Sequence, residues 1–489
     1  MTTLRISAHY IPLQIALLAV LEALAVFGCF FIAFYIRFSG DVEAVDYRIQ
    51  DLLLRAGVFS MTVFIGLVTM GLYRARQRAR IVEILPRIGV GIAIGIILNI
   101  VVYYVLPFLI TERSVVMLAA ICSLFGLSIL RSIVFSTINI PVPKNRVIVL
   151  GAGEMARPLA RLRRDSDQRS SAVLGFIPIE GDDIAPECAS RVIQPSDMYN
   201  FINIWGVDEI VVSMEDRRLK NPMKDLLKCR LAGIRVTEAI TFLERETAKI
   251  DLDIVSLGWM VFSDGFRQSS SRLVLKRLFD LATSSLLLIL AGPIMLLTAL
   301  LIWMTSGFKD PIFYVQSRVG LNGQVFGALK FRSMRTDAEA DGVARWADSD
   351  DDRVTLIGSV IRRFRIDELP QLFNVLRGEM SFVGPRPERP EFVEELGEAL
   401  PFYHERHCMK PGLTGWAQVS YPYGSSVEDA KQMLQYDLYY VNNHSLIFDL
   451  MILLQTIDVV VWGRGTAMPD DRRHTELAAR LEHQPAEPS

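Results

Sequence analysis

The chain has 489 residues, which at roughly 100–200 residues per domain is enough for two to four domains. Apolar types make up 51% of it and charged types 22%, a mixture that excludes a long disordered or collagen-like chain and favours membrane contact. Lys plus Arg number 52 against 54 Asp plus Glu, so the net charge of −2 indicates no nucleic-acid partner. The five cysteines include no CxxC pair, which argues against a disulfide scaffold and a cysteine zinc site.

Four apolar stretches fill the first 140 residues, and each reaches the roughly 20 residues that cross a bilayer core. They cover residues 11–38, 52–73, 84–110 and 115–138. The first is too long for the apolar region of a signal peptide and no small-residue cleavage site follows it, which predicts a retained span. Residues 1–140 are therefore predicted to form four transmembrane helices.

Loop charges predict the orientation of these helices. The loop after the second stretch carries Arg74, Arg76, Arg78 and Arg80, whereas the loop after the first is rich in acidic residues. Arginine-rich short loops stay on the cytoplasmic side of a membrane. We therefore expect the N-terminus and everything after residue 140 to be cytoplasmic.

Residues 144–262 are predicted to form a Rossmann-like α/β domain. Residues 146–150 read as a buried strand, and the glycine turn at 151–153 then opens a helix to about Arg164, in the order of a dinucleotide-binding unit. Further strands are predicted near residues 173–177, 209–213 and 234–237. One such turn predicts the fold and leaves nucleotide binding open.

A fifth apolar stretch covers residues 278–304, and a straight helix of that length would run about 40 Å and cross the membrane. Gly292 and Pro293 stand at its middle. Proline removes an internal hydrogen bond and clashes with the preceding turn, which predicts a kink. The helix either crosses the membrane or bends back to the side from which it entered.

Polar groups suited to phosphate chemistry follow this helix, in three basic clusters around one carboxylate pair, Asp367-Glu368. The clusters contain Lys330 with Arg332, then Arg362, then Arg386. Asp367 is predicted to be the N-cap of a helix that ends at residue 378. The field of that helix terminus and the nearby arginines are expected to keep its carboxylate ionised.

An ionised carboxylate is a competent nucleophile toward phosphorus, but a pyrophosphate would repel it. Mg²⁺ held by one or two carboxylates and by phosphate oxygens is the expected remedy, with Asp367 as a metal ligand. Arg386 lies between two prolines that would hold its guanidinium fork in place for a phosphate. The alternative is that Asp367-Glu368 caps a helix while the arginines contact anionic lipid headgroups.

The motifs together resemble a known family, the bacterial polyprenyl-phosphate phosphoglycosyl transferases, also called undecaprenyl-phosphate sugar phosphotransferases. The similarity covers about 190 residues, from residue 276 to about residue 462. Its most specific parts are DELPQ at residues 367–371 and GPRP at residues 384–387. The chain departs from the family at Gly292, where a serine is common, and at Glu379, where an aspartate is common.

The resemblance implies that Asp367 attacks the sugar-bearing phosphate of a UDP-sugar, releases UMP and holds the phosphosugar until polyprenyl phosphate accepts it. It implies that Glu368 assists as an acid/base or metal-side partner. Phosphate binding would fall to Lys330, Arg332, Arg362 and Arg386. The family places the proline-kinked helix as re-entrant, which agrees with the cytoplasmic supply of UDP-sugars.

The resemblance also implies the fold class and the location. We expect a membrane protein with a four-helix transmembrane N-terminal region, a Rossmann-like α/β middle domain and an α/β monotopic catalytic domain at residues 270–465 with a re-entrant helix, followed by a polar tail at 466–489. Large members of this layout start exopolysaccharide or O-antigen repeat units. The expected location is the bacterial inner (cytoplasmic) membrane, with the catalytic domain on the cytoplasmic face, in contact with membrane lipid and as a homodimer.

Two other functions stay open from the residues alone. A membrane-bound nucleotide-sugar dehydratase can share the layout of four spans and a Rossmann-like domain, but the chain lacks the YxxxK catalytic pair. A ligand-sensing membrane scaffold would not need the carboxylate and arginine clusters. The sequence does not identify the sugar.

Overall fold

The computed structural model describes residues 3–6, 9–39, 51–73, 81–137, 145–162, 171–179, 182–195, 197–214, 223–266, 270–306, 310–336, 353–421, 424 and 426–461. The chain divides into two compact units, residues 1–254 and residues 255–489. The arginine-rich loop at 74–80 and the polar tail at 466–489 lie outside the described residues. The domain boundaries given above stay predictions.

The four N-terminal apolar stretches form helices, as predicted. A hairpin of strands β1 (Thr3–Ile6) and β2 (His9–Pro12) precedes helices α1 (Leu13–Phe38), α2 (Leu52–Thr69), α3 (Ile81–Val105) and α4 (Arg113–Thr137). Each helix contains a segment long and apolar enough to cross a membrane. Helix α3 ends before the predicted residue 110, because the chain turns at the short 3-10 segment Pro107–Leu109.

One buried charge pair joins the helices of this bundle. Arg131 of α4 donates from Nε to Glu22 Oε1 of α1 at 2.6 Å, and Tyr73, just after α2, donates to Glu22 Oε2 at 2.5 Å. Glu22 is fully buried. A charge inside an apolar bundle is costly unless it is paired, so this contact stabilises one arrangement of three helices.

The middle of the chain forms a parallel four-stranded sheet in the order β4-β3-β5-β6, which confirms the predicted α/β fold. The strands are β3 (Asn145–Leu150), β4 (Ser171–Ile177), β5 (Glu209–Val212) and β6 (Arg235–Glu238). Helices α5 (Arg157–Arg161), α6 (Pro186–Ala189), α7 (Met198–Trp205), α8 (Met223–Leu231) and α9 (Ala239–Thr247) connect or follow them. The helix after the glycine turn ends at Arg161, before the predicted Arg164, which lies outside the described residues.

The C-terminal unit begins with the short helix α10 (Leu257–Phe262) and the long apolar helix α11 (Ser270–Thr305). Helix α11 continues without a break through Gly292 and Pro293 and is a further candidate membrane span. Its path through the membrane stays a prediction.

Short strands and helices follow α11. They are β7 (Phe313–Val319), β8 (Val325–Phe331), α12 (Leu356–Arg363), α13 (Gln371–Arg377), β9 (Ser381–Val383), α14 (Pro390–Ala399), β10 (Gly412–Thr414), α15 (Trp416–Ser420), α16 (Val427–Asn443) and α17 (Leu446–Val461). Strands β7 and β8 form an antiparallel hairpin, and β9 pairs with β10 in parallel. Asp280 of α11 accepts hydrogen bonds from Ser381 Oγ and Phe382 N, both at 3.0 Å, and so ties α11 to β9.

Candidate active site

The carboxylate pair lies in the short 3-10 turn Ile366–Glu368 between α12 and α13. The prediction that Asp367 is an N-cap is wrong, because α13 begins at Gln371, after Pro370, and Asp367 lies inside the preceding turn. Helix α13 ends at Gly378, as predicted, and Gly378 is in the left-handed conformation, with φ 89°. Arg365 is also left-handed, with φ 54°, and this conformation turns the chain directly before the carboxylate pair.

Apolar neighbours hold this turn against α11. Ile366 and Leu369, on either side of the carboxylate pair, pack on a buried cluster. Its buried members are Ala291, Met295, Ile302, Phe331 and Ile361. The turn therefore has an apolar base that includes α11 next to Pro293, and its two acidic residues lie between these apolar anchors in sequence.

Glu368 is surrounded by cations. Its Oε1 lies 3.7 Å from Lys330 Nζ and 3.3 Å from Arg386 Nη2, and its Oε2 lies 3.3 Å from Arg365 Nη1. Burial alone would raise the pKa of the Glu368 carboxyl, but these positive charges outweigh it and lower that pKa below its usual range. Glu368 is therefore an ionised anchor that draws three cations together.

The pKa of Asp367 is shifted in the opposite direction. Within the described residues its carboxylate makes no hydrogen bond or ion pair. Burial, and then the negative charge of Glu368, raise its pKa to about 6, although Lys330 and Arg362 act against this rise. The nearby cations favour the ionised carboxylate of Asp367, as expected, but burial and Glu368 outweigh them, so its pKa lies above the usual value and the group is still mostly ionised at neutral pH.

The structure brings three of the four predicted phosphate-binding residues to this pair. Lys330 and Arg386 contact Glu368, and the charge of Arg362 acts on Asp367. Arg362 Nη1 is buried without a hydrogen-bond partner in the described part of the chain. Arg332 instead pairs with Asp310, at 2.9 Å, and its phosphate-binding role stays a prediction.

Burial also changes the basicity of Lys330. Its pKa falls to about 8, chiefly because burial disfavours the charged ammonium group, while Glu368 acts in the opposite direction. At neutral pH the ammonium group is still mostly protonated. It therefore adds positive charge beside both carboxylates.

Sequence reasoning missed two residues that shape the site. Arg365 gave no signal, because a left-handed backbone usually indicates glycine, asparagine or aspartate. Arg277, in α11, donates to Val375 O at 2.6 Å and Leu376 O at 2.7 Å, and so caps the C-terminus of α13. A basic residue near the start of an apolar helix predicts a membrane anchor, not a cap for a helix about 100 residues later.

The donor set suits a metal only in part. Among the described residues no group of three or more His, Cys, Asp or Glu side chains could hold a metal ion. In the described ranges Asp367 has no hydrogen-bonding or ion-pair partner, whereas Glu368 already has three cations around it. A Mg²⁺ ion would thus take Asp367 and phosphate oxygens as ligands, which is a usual arrangement for Mg²⁺.

The glycine turn of the middle domain offers a second place for a phosphate. Gly151, with φ 111°, passes so close to Ser213 O that an added Cβ would lie 1.9 Å from it. The next backbone amide, Ala152 N, donates to Asp182 Oδ2 at 3.0 Å, and Ile179 N donates to the same oxygen at 3.1 Å. A carboxylate of the chain itself therefore occupies this turn.

Comparisons with known proteins agree on the C-terminal region. Residues 271–463 match the family described as bacterial sugar transferase. The chain is 37% identical over 262 residues to a UDP-N-acetylgalactosamine-undecaprenyl-phosphate N-acetylgalactosaminephosphotransferase of Aeromonas hydrophila. It is 35% identical over 270 residues to a UDP-glucose:undecaprenyl-phosphate glucose-1-phosphate transferase of Klebsiella pneumoniae.

The coverage of these alignments differs. The two alignments include 53% and 54% of this chain but only 60% and 56% of those relatives, so the chain spans little more than half of their length. A shorter relative, the exopolysaccharide production protein PSS of Rhizobium leguminosarum bv. phaseoli, is 43% identical over 194 residues. That alignment covers 94% of the relative and 38% of this chain.

Proposed function

Since the chain belongs to the bacterial sugar transferase family, we propose that it transfers a sugar 1-phosphate from a UDP-sugar to undecaprenyl phosphate and releases UMP. This would be the first membrane step of exopolysaccharide or O-antigen repeat-unit synthesis. The names of relatives specify UDP-glucose and UDP-N-acetylgalactosamine, so these two donors are the first to test.

One observation carries the proposal. Asp367 has a half-buried carboxylate without a hydrogen bond in the described residues, next to a carboxylate that holds three cations. A side chain with only a capping or lipid-binding role would gain nothing from burial without a partner. A nucleophile needs its oxygen unengaged and close to positive charge that will receive the substrate's phosphates.

The proposed reaction has two displacements at one phosphorus atom. A carboxylate oxygen of Asp367 attacks the phosphorus that carries the sugar, and the bond from that phosphorus to the bridging oxygen breaks, so that UMP leaves with the bonding electrons. A phosphate oxygen of undecaprenyl phosphate then attacks the same phosphorus and releases Asp367. Lys330, Arg362 and Arg386 would stabilise the charge on the phosphate oxygens.

Glu368 would set the positions of these cations. Since its oxygens are 3.3–3.7 Å from Lys330, Arg365 and Arg386, it holds them in place before a substrate arrives. A positioned cation loses less entropy when a phosphate binds. Mg²⁺, with Asp367 and phosphate oxygens as ligands, would reduce the repulsion between the pyrophosphate and the carboxylates.

We further propose that α11 is re-entrant and keeps the catalytic unit on the cytoplasmic face of the bacterial inner membrane, where UDP-sugars are made. The protein would contact membrane lipid there and function as a homodimer.

Cysteines placed at Ser270 and Ser306 flank α11 and test its path. Re-entry predicts that a membrane-impermeant thiol reagent labels both only after the membrane is opened, with the unsubstituted protein as control for the five native cysteines. Labelling of Ser306→Cys alone from outside would show a crossing helix.

The nucleotide product tests the reaction directly. Membranes that contain the protein are incubated with undecaprenyl phosphate and either UDP-glucose or UDP-N-acetylgalactosamine. Attack on phosphorus cleaves the pyrophosphate and gives UMP, whereas a glycosyltransferase breaks the sugar–oxygen bond and gives UDP. Stoichiometric UDP would refute the proposed mechanism.

A further inference from the structure

The segment that carries Arg386 offers few backbone groups by which the rest of the protein can hold it. Pro385 and Pro387 lack an N–H group, which leaves the carbonyl oxygens as the main points of attachment. Each of the four carbonyls from residue 385 to residue 388 accepts a hydrogen bond. The donors are Gly412 N to Pro385 O at 2.8 Å, Arg406 Nη2 to Arg386 O at 2.8 Å, Arg318 Nη1 to Pro387 O at 2.9 Å, and Val319 N to Glu388 O at 2.9 Å.

Arg406 donates to the carbonyl oxygen of Arg386, whose guanidinium is the group proposed to bind the phosphate. Its side chain is buried, with Nη2 2.7 Å from Asp437 Oδ2 and Nη1 donating to Tyr403 Oη at 2.9 Å. Arg406 as a whole is 3% exposed, and Asp437 is 1% exposed. A buried counter-ion and a buried phenol hold the guanidinium where Nη2, which faces Asp437, also donates to the Arg386 carbonyl. Its Nε is buried without a hydrogen bond among the described residues.

We propose that Arg406 is a positioning residue, which fixes the carbonyl oxygen of Arg386 and thereby the place from which the Arg386 guanidinium reaches the reacting phosphate. The inference rests on the proposed function. Arg386 Nη2 lies 3.3 Å from Glu368 Oε1, so a backbone shift at Arg386 would move its guanidinium relative to the carboxylate pair. Arg386 would keep its positive charge after such a shift, but the charge alone would not compensate, because phosphate recognition depends on the direction of the guanidinium fork.

Arg406 is also a cleaner probe than Arg318. Arg318 holds the next carbonyl, but its charge helps to lower the pKa of Glu368, so its substitution would change the charge of the site as well as its geometry. Arg406 has its own counter-ion in Asp437. Replacing it by lysine keeps that charge pair and removes the planar fork that reaches two acceptors.

The test is a double-mutant cycle on the full-length chain, measured as UMP release from whichever of the two UDP-sugars it turns over. Arg406→Lys should lower kcat/KM about 10- to 100-fold, as small displacements of a positioning group do. In an Arg386→Lys background the same substitution should cost less than about twofold, since the fork that it positions is already lost. A loss of equal size in both backgrounds would overturn the proposal.

A milder variant covers the case in which Arg406→Lys does not fold. Tyr403→Phe removes the hydroxyl that accepts from Arg406 Nη1 and keeps the ring, and it should show the same dependence on Arg386 with a smaller loss. Unchanged kcat/KM in both Arg406→Lys and Tyr403→Phe would also overturn the proposal. If the unsubstituted protein releases no UMP, the proposed function fails and the inference fails with it.

Arg245→Lys is the matched control. Arg245 is a buried arginine in the other unit, where it donates to Glu209 Oε1 at 3.0 Å and Oε2 at 2.8 Å. Its substitution should lower the thermal midpoint and leave kcat/KM within about twofold in both backgrounds. A control that reproduced the Arg406 pattern would show that the cycle reports only stability, which would refute the positioning role.

Discussion

The glycine turn of the middle domain and the carboxylate turn of the catalytic unit both present groups that suit a phosphate. They differ in whether a carboxylate is left for a substrate. At the glycine turn, Ala152 N–H donates to the carboxylate of Asp182. At the carboxylate turn, Glu368 likewise takes up cations that could hold a phosphate. Here, however, a second carboxylate, Asp367, stays without a hydrogen bond among the described residues.

The difference shows what a phosphate motif can predict. A motif identifies the kind of group, an amide or an arginine, and the conformation that presents it. Whether that group is available to a ligand depends on acidic residues elsewhere in the chain, such as Asp182, which lies 30 positions after Ala152. An internal carboxylate can satisfy the amide as a phosphate would.

The largest effect should come from removing the unengaged carboxylate. Asp367→Asn keeps the size of the side chain and removes the anion, so turnover should fall by at least about a thousandfold. With a labelled UDP-sugar and no lipid acceptor, the unsubstituted protein should form a covalent phosphosugar adduct that intact-mass analysis detects. The variant should form none.

Glu368→Gln is the control for this substitution, since it changes the adjacent carboxylate. It should impair turnover but still permit the adduct on Asp367, because the nucleophile is intact. Near-normal turnover in purified Asp367→Asn would show that Asp367 is not the nucleophile and would favour a structural role for the pair.

A smaller loss is expected from Arg386→Lys. Lysine keeps the positive charge beside Glu368 and lacks the bidentate fork. The loss of one charge-assisted hydrogen bond costs about 1.5–3 kcal/mol, which corresponds to a fall in kcat/KM of about 10- to 100-fold. Kinetics with the donor and peptide mapping of the adduct check this, since the adduct should stay on Asp367. An unchanged kcat/KM would argue against a phosphate role for Arg386.

The pH profile should report the two shifted groups. Asp367 attacks phosphorus only when ionised, and its pKa is about 6, so kcat/KM should fall about tenfold per pH unit below that value. Lys330 helps only when protonated, and its pKa is about 8, so kcat/KM should also fall above it. Glu368→Gln removes the like charge beside Asp367, which should move the acid limb to lower pH. An acid limb that stays in place would mean that another group controls it.

The sequence predicted the four N-terminal helices, the parallel sheet and the identity of the carboxylate pair, because apolar length, strand runs and the DELPQ motif are local signals. It did not predict that the pKa of Asp367 is raised and the pKa of Glu368 is lowered. The pKa shifts arise because Lys330 comes from β8 and Arg386 from beyond β9, while the apolar base comes from α11, β8 and α12. Burial and long-range charge decide which carboxyl group is protonated more easily, and neither can be seen in the spacing of residues.

The smallest effect on turnover should come from opening the glycine turn. Asp182→Ala removes the acceptor of two backbone N–H groups and should lower stability by about 1–3 kcal/mol, the cost of leaving such groups unpaired. UMP release should stay within about twofold, as expected for a site that is not part of the catalytic machinery. Asp183→Ala, at the exposed neighbouring position, is the matched control and should change neither stability nor turnover.

Thermal melts with and without NAD⁺ complete the test of the glycine turn. Because Asp182 already occupies this turn, the dinucleotide should not raise the melting temperature. If NAD⁺ stabilised the unsubstituted protein and Asp182→Ala abolished that effect, Asp182 would be a ligand-binding acid, and the two turns would be alike in leaving a carboxylate for a substrate.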